Sequence, residues 1–284
     1  MYNSNGNNNT GNVAGTTYGA VYNQGSYDYN SEKEQGNKNY YNSKTQATPP
    51  NGGLYDEHSL NEYTSTKIRH GFIKKVYSIL SLQLLITFGF STLAVLYKPF
   101  NSFLIDNYVL FLVLGIAFSV PIMFSLICFP NVARKYPQNY FLLLAITIGI
   151  TMLVVLTSAV INSEVFFYSL GTTSVVVIGL TIFAFQTKWD FTGWYVYVFI
   201  SFLILLFLGI IGIFIRNRIF NLVFAGINAF ILSVSIIVDT QLIIGGKHKK
   251  FEFTVDDYIF ATLSLYMDIV DLFLSIASIF SNAK

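Results

Sequence analysis

The sequence predicts an all-α polytopic membrane protein, a seven-transmembrane-helix bundle behind a polar N-terminal tail, on three observations. Of 284 residues, 53% are hydrophobic and only 11% charged, against roughly 25% charged in an ordinary soluble domain. After Arg69 the apolar residues gather into seven runs, each long enough for the ~20 residues a bilayer-crossing helix needs. The first 66 residues are almost entirely polar, so the mean hydropathy of +0.53 averages two unlike parts.

Residues 1–66 are rich in Asn, Gly, Tyr, Ser and Thr, contain the turn-forming run Pro49-Pro50-Asn51-Gly52-Gly53, and have no apolar periodicity. Such a segment cannot bury enough surface to offset its ordering entropy, and a disordered tail is expected. Residues 67–284 form the membrane domain. Its spans are read at about 76–97, 108–129, 140–161, 165–186, 194–215, 219–244 and 258–280. Between them stand short breaks: Lys98-Pro99, Pro130 to Pro137, Asn162 to Glu164, Thr187 to Gly193, Arg216 to Arg218 and Gly245 to Asp257. Loops this short leave no room for a further soluble domain.

The net charge of +2 is too balanced for a nucleic-acid footprint, so the expected partner surface is the lipid bilayer and not nucleic acid. Cys128 cannot form an intramolecular disulfide and reads as a small hydrophobe in an apolar run. The start of the chain has neither the basic flank nor the apolar core of a secretory signal, which leaves targeting to the first span. Orientation follows from Lys and Arg near the span ends. A cytosolic N-terminus places Lys67, Arg69, Lys74, Lys75, Arg134, Lys135, Lys188, Lys247, Lys249 and Lys250 inside, and Lys98, Arg216, Arg218 and Lys284 outside. The excess favours a cytosolic tail. Charge counting does not decide whether the last apolar run spans or re-enters.

The informative anomaly is acid inside the apolar runs, because an ionised Asp near the bilayer centre costs about 2.5–3.5 kcal/mol and persists only with a use or a partner. Asp239, Asp268 and Asp271 qualify. In the sixth run Asn221, Asn228, Ser235 and Asp239 recur at steps of 7, 7 and 4, on one helical face. In the seventh, Ser264, Asp268, Asp271, Ser275 and Ser278 follow at steps of 4, 3, 4 and 3. Two polar faces on consecutive helices are most stable turned towards each other or towards a shared wet path. Carboxylates with hydroxyl oxygens are hard ligands of the kind Ca²⁺ takes, so Asp239 and Asp268 are candidates for transient Ca²⁺ contact, with Asp271 beside them. Nitrogen and thiolate ligands are scarce in the spans, and no zinc or haem cofactor is expected. Carboxylates crowded together also share protons, so cation passage and pH sensing could use the same three residues. Asn228, Ser235, Ser264 and Ser275 would line the path, although small polar residues also serve as ordinary helix contacts. Arg134, beside Lys135, is either a topology-setting charge or a counter-ion for the acidic site.

Four segments carry a resemblance: Arg69-His70-Gly71-Phe72-Ile73-Lys74-Lys75-Val76-Tyr77, Leu180 through Thr192, Asp239-Thr240-Gln241-Leu242-Ile243-Ile244-Gly245-Gly246-Lys247-His248, and Leu263 through Phe273. The chain resembles the Bax inhibitor-1 (transmembrane Bax inhibitor motif) family, lifeguard branch, over about residues 67–284. The resemblance implies a seven-helix bundle with the last helix surrounded by the other six. It also implies a pH-sensitive Ca²⁺ leak across the endoplasmic reticulum, Golgi or plasma membrane, and protection from cell death with cell-death regulatory proteins as partners. Its paired aspartates fall on Asp239 and Asp268, and its latch arginine on Arg134. Where lifeguard relatives carry Asn, this chain has Asp271, which adds a carboxylate to the site.

Two other readings stand beside the leak channel. A non-conducting membrane scaffold would modulate cell death through partners alone. Intramembrane aspartyl proteases also place one Asp on each of the sixth and seventh helices, but with Gly-x-Gly before the second, where this chain has Leu265-Tyr266-Met267 before Asp268.

Overall fold

The computed structural model describes residues 57–128, 136–215, 217–245 and 251–283. Eight α-helices are found among them: α1 (Glu57–Leu96), α2 (Lys98–Asp106), α3 (Tyr108–Cys128), α4 (Gln138–Val160), α5 (Ser163–Gln186), α6 (Tyr195–Phe214), α7 (Arg218–Ile244) and α8 (Tyr258–Ala283). All but α2 are long and apolar enough to cross a bilayer. The seven expected spans are the seven found. The first helix starts earlier than its apolar run, at Glu57, so residues 57–66, read from composition as tail, are helical.

The break at Lys98-Pro99 is a helix start. Pro99 stands in the first turn of α2, where its missing N–H is not needed and its fixed φ suits a helix. Leu104 of α2 is buried with Ala94, Val155 and Leu156 of α1 and α4. Asn101 donates from Nδ2 to the carbonyls of Ala94 and Ala159, 2.9 Å each, and ties the ends of those two helices together.

α8 is the axis of the bundle. Over its central window 72% of positions are buried, against 11% for α6 and 17% for α3. Ile259, Ala261, Leu265, Tyr266, Leu272 and Phe273 are almost wholly inaccessible. The helix packs against α7, α5, α1 and α4, while α3 is held by α4 and α6 by α7. The last helix is therefore enclosed by four neighbours in contact with it and not directly by all six. It is also unbroken: 26 residues, about 39 Å at 1.5 Å per residue, suffice to cross. Its far end lies beside the start of α7, where the Arg218 guanidinium donates to the carbonyl of Asn282. The last apolar run is one continuous helix of spanning length.

Helices without water between them approach most closely through small residues. A Cβ on Gly149 would lie 2.9 Å from the backbone N of Ser119 and 3.0 Å from the carbonyl O of Gly115, so α3 and α4 touch backbone to backbone there. Gly171 on α5 has nothing within 4 Å of that position. Replacing Gly149 by Val should therefore force α3 and α4 apart and destabilise the protein by about 3 kcal/mol, near the upper end for overpacking. Gly171→Val should leave thermal unfolding in detergent close to wild type, and equal effects of the two would refute the backbone contact.

Candidate functional site

The polar faces of α7 and α8 meet. Asn228 donates from Nδ2 to Ser275 Oγ at 2.8 Å. Ser264 Oγ donates to Asp239 Oδ2, and between these two rungs Ser235 on α7 stands opposite Asp268 on α8. Steps of 7 and 4 from Asn228 to Ser235 to Asp239 are matched by backward steps of 7 and 4 from Ser275 to Asp268 to Ser264. That is one antiparallel register, with a serine opposite each of the two acids. All the stripe residues singled out as pore-lining from the sequence thus lie on one seam.

Asp239 is 3% and Asp268 6% exposed, and both belong to facing elements deep in the bundle. Asp268 Oδ2 is buried with no hydrogen-bond partner. It sits ten residues into α8, about 15 Å along the helix. Asp271 follows Asp268 one turn later on α8. In the α7–α8 register Asp271 falls opposite Leu232, which is 1% exposed. Among the described residues no three His, Cys, Asp or Glu side chains are grouped to hold a resident metal ion. Arg134 lies outside the described residues.

Arg69 holds the end of the site nearest Asp239. From α1 it donates through Nε to the carbonyl of Ile244 at 2.9 Å, through Nη2 to that of Leu242 at 2.8 Å and through Nη1 to that of Phe253 at 2.6 Å. Leu242 and Ile244 end α7, whose last carbonyls have no partner within the helix. The guanidinium satisfies them, complements the negative end of the helix dipole, stacks over Phe72 and lies 3.7 Å from Glu252. Gly245 follows with φ +60°, and a Cβ there would strike Arg69 and Glu252, so the position requires glycine on both counts. Gln241, fully buried, donates to the carbonyl of Trp189 at 2.9 Å and accepts from the N–H of Phe191 at 2.8 Å. The α5–α6 connection is thereby pinned to α7 two residues from Asp239.

A second buried polar seam joins α1, α4 and α8. Gln83 donates to Thr147 at 2.7 Å, and Thr87 contacts Thr151 at 2.9 Å and the Tyr266 hydroxyl at 2.7 Å. Both α1–α4 pairs are 64 residues apart, as a parallel pair of helices in fixed register requires. The signal was present in the sequence, since Gln83, Thr87 and Ser91 recur at steps of 4, but without an acid among them the run reads as packing.

With the geometry in hand, the comparisons with known proteins decide the kinship. The model of the family described as "Inhibitor of apoptosis-promoting Bax1" matches residues 69–284. The chain belongs to the Bax inhibitor-1 family. It is similar to human protein lifeguard 3, 30% identical over 222 residues, which is 77% of this chain and 70% of that protein. It is also similar to protein LIFEGUARD 1 of Arabidopsis thaliana, 32% identical over 77% of this chain and 92% of the relative. Bax inhibitor 1 of Schizosaccharomyces pombe is 33% identical over 75% of this chain and 76% of its own length. The family match begins at Arg69, the residue that closes the end of α7.

Hydrogen bonds to a charged donor contribute about 1.5–3 kcal/mol each where desolvated, and the side chain here is 17% exposed. Arg69→Ala should cost about 3 kcal/mol in all, and Arg69→Lys should recover less than half, because an ammonium cannot span three carbonyls as the planar fork does. Thermal unfolding together with amide exchange over residues 241–253 would test this. Full recovery by lysine would mean that charge alone matters.

Proposed function

We propose that this family member is a pH-sensitive Ca²⁺ leak channel of an intracellular membrane, endoplasmic reticulum or Golgi, whose activity lowers stored Ca²⁺ and restrains apoptosis. Family membership supports the role in apoptosis regulation. The observation that carries the ion pathway is the buried acid pair Asp239 and Asp268 on facing helices, with Asp268 Oδ2 unpartnered. A carboxylate oxygen in hydrocarbon without a donor is costly unless it serves a permeant cation or a proton. Serine hydroxyls opposite each acid add hard oxygens of the kind Ca²⁺ accepts. Two carboxylates for an ion that takes 6–8 oxygens make a site for passage, with water supplying the remainder.

In this reading the tail and the basic rim face the cytosol, by the excess of Lys and Arg at that end. The latch assigned to Arg134 keeps its place in the proposal. Arg69 does not compete for that role, because its guanidinium is occupied by the carbonyls of Leu242, Ile244 and Phe253. A non-enzymatic role is supported by the relatives, which are named as Bax inhibitor and lifeguard proteins, and by the residues before Asp268: Leu265 and Tyr266 are buried packing residues of α8, not a glycine turn.

The test is Ca²⁺ flux from reconstituted vesicles as a function of pH. The wild type should leak with a pH dependence that Asp239→Asn and Asp268→Asn each flatten, since an amide cannot exchange a proton. Unchanged profiles in both variants would sink the assignment. A wild type that carries no flux yet retains its cell-death effect would favour the scaffold.

A further inference from the structure

The basic residues of α1 at the Arg69 rim divide by direction. Arg69 turns inward onto the end of α7, and the Lys75 ammonium lies over the Tyr258 ring, 3.2 Å from its centroid, so both are engaged within the bundle. Lys67, His70 and Lys74 are exposed, and none of them makes a hydrogen bond, ion pair or ring contact with a described residue. Three acids of the same rim are turned to other partners: Glu252 to Arg69, Asp190 to the Thr192 hydroxyl and Asp257 to the Thr254 hydroxyl. The positive charge on this face of α1 is left uncompensated.

The same face runs on into the membrane. Lys67, Lys74, Ser78 and Leu85 follow at steps of 7, 4 and 7, which keeps them on one side of the helix, with His70 beside the first two. Ser78 is exposed, and Leu82 and Leu85 are 58% and 71% exposed. Gly71, between the cations, has nothing within 4 Å of the place a Cβ would take, so the backbone is open there. From Lys74 to Leu85 the helix rises about 16 Å, close to the ~15 Å of hydrocarbon in one leaflet. Cations thus stand at headgroup depth, a hydroxyl just below them and leucines along the tails. A second observation fixes that level: Tyr77 packs on Phe185 at 6.4 Å, and just past the end of α5 Lys188 and Trp189 are exposed, residue types that mark a membrane interface.

We propose that this strip of α1 binds an anionic phospholipid of the leaflet at the Arg69 rim, with Lys67, His70 and Lys74 receiving the headgroup and Leu82 and Leu85 lying along an acyl chain. A zwitterionic headgroup brings its own cation to a face that already carries an excess of them; an anionic one supplies the missing charge. A lysine near an anionic surface contributes about a fivefold preference. The bound lipid braces the turn of α1 from which Arg69 holds α7, and none of the buried acids takes part.

The test uses the full chain in nanodiscs of phosphatidylcholine and phosphatidylserine at 4:1, with the lipids retained by the released protein counted by native mass spectrometry. The wild type should retain phosphatidylserine over phosphatidylcholine at least tenfold above their ratio in the disc. Lys74→Gln should lower that preference about fivefold, and Lys67→Gln/Lys74→Gln should bring it to parity. Lys75→Gln removes the same charge from the next residue, but one turned inward, and should stay within twofold of the wild type. The proposal falls if phosphatidylserine is not enriched, or if Lys74→Gln and Lys75→Gln lower the enrichment equally, which would make it a property of the whole rim. A dimer without enriched lipid would overturn it in favour of a second copy of the chain on this face.

Discussion

Inside a bilayer no water is available to a polar side chain that lacks a partner, and the arrangement of this bundle follows from that constraint. Each buried polar group must find another on a neighbouring helix, and the pairs found fix how the helices sit. On α7 and α8 the matched steps of 7 and 4 admit one antiparallel register, because a shift by a single residue would turn every acid away from its serine. On α1 and α4 the common offset of 64 residues fixes a parallel register in the same way. Apolar contacts between helices in lipid do not discriminate register so sharply, since the tails are as apolar as leucine. The polar pairs specify, and the apolar residues fill.

The same constraint governs the helix ends. The last carbonyls of a helix have no intrahelical donors, and at both rims an arginine supplies them: Arg69 for α7 and Arg218 for α8. These are the two helices that bring the acids together. A fixed end on each limits sliding along the common axis, which would otherwise trade one rung of the ladder for the next. Gln241 acts on the same helix by holding the backbone of residues 189–191. The motif segments that mark the family are thus explained by position: Arg69, Asp190, Gln241 and Gly245 lie together where α1, the α5–α6 connection and the end of α7 meet.

Most of the fold was legible because the bilayer imposes one length and one polarity on every span, and both are read directly from composition. The acidic seam was legible for a related reason, since charge in an apolar run is rare enough to stand out. The role of Arg69 was not, because a basic residue at a span end fits the positive-inside pattern equally well whether it faces water or caps another helix 173 to 175 residues away. Pro99 misled in a similar manner: proline between apolar runs marks a break, and only the neighbours decide whether the break is a loop or the first turn of a helix. The hydroxyl seam shows the limit of reading one helix at a time. Gln83, Thr87, Thr147 and Thr151 do not stand out on their own spans and become a connected seam only in register with each other and with Tyr266.

The strengths of these contacts bear on whether the bundle can open. Hydrogen bonds between membrane helices contribute about 0.6 kcal/mol each on average, so the two rungs Asn228–Ser275 and Ser264–Asp239 together hold α7 and α8 by about 1 kcal/mol. Placing or removing one proton on a buried carboxyl group changes free energy by about 1.4 kcal/mol for each unit by which its environment displaces its titration. The two quantities are of the same order. A ladder this weak can be biased by a change of charge on the acids it contains, whereas the Arg69 clamp, with one guanidinium on three carbonyls, is stronger and would survive it. Under the proposed gating, separation of α7 from α8 would fall on the ladder beyond that clamp, and α6, which packs mainly against α7, would follow without disturbing the core around α8.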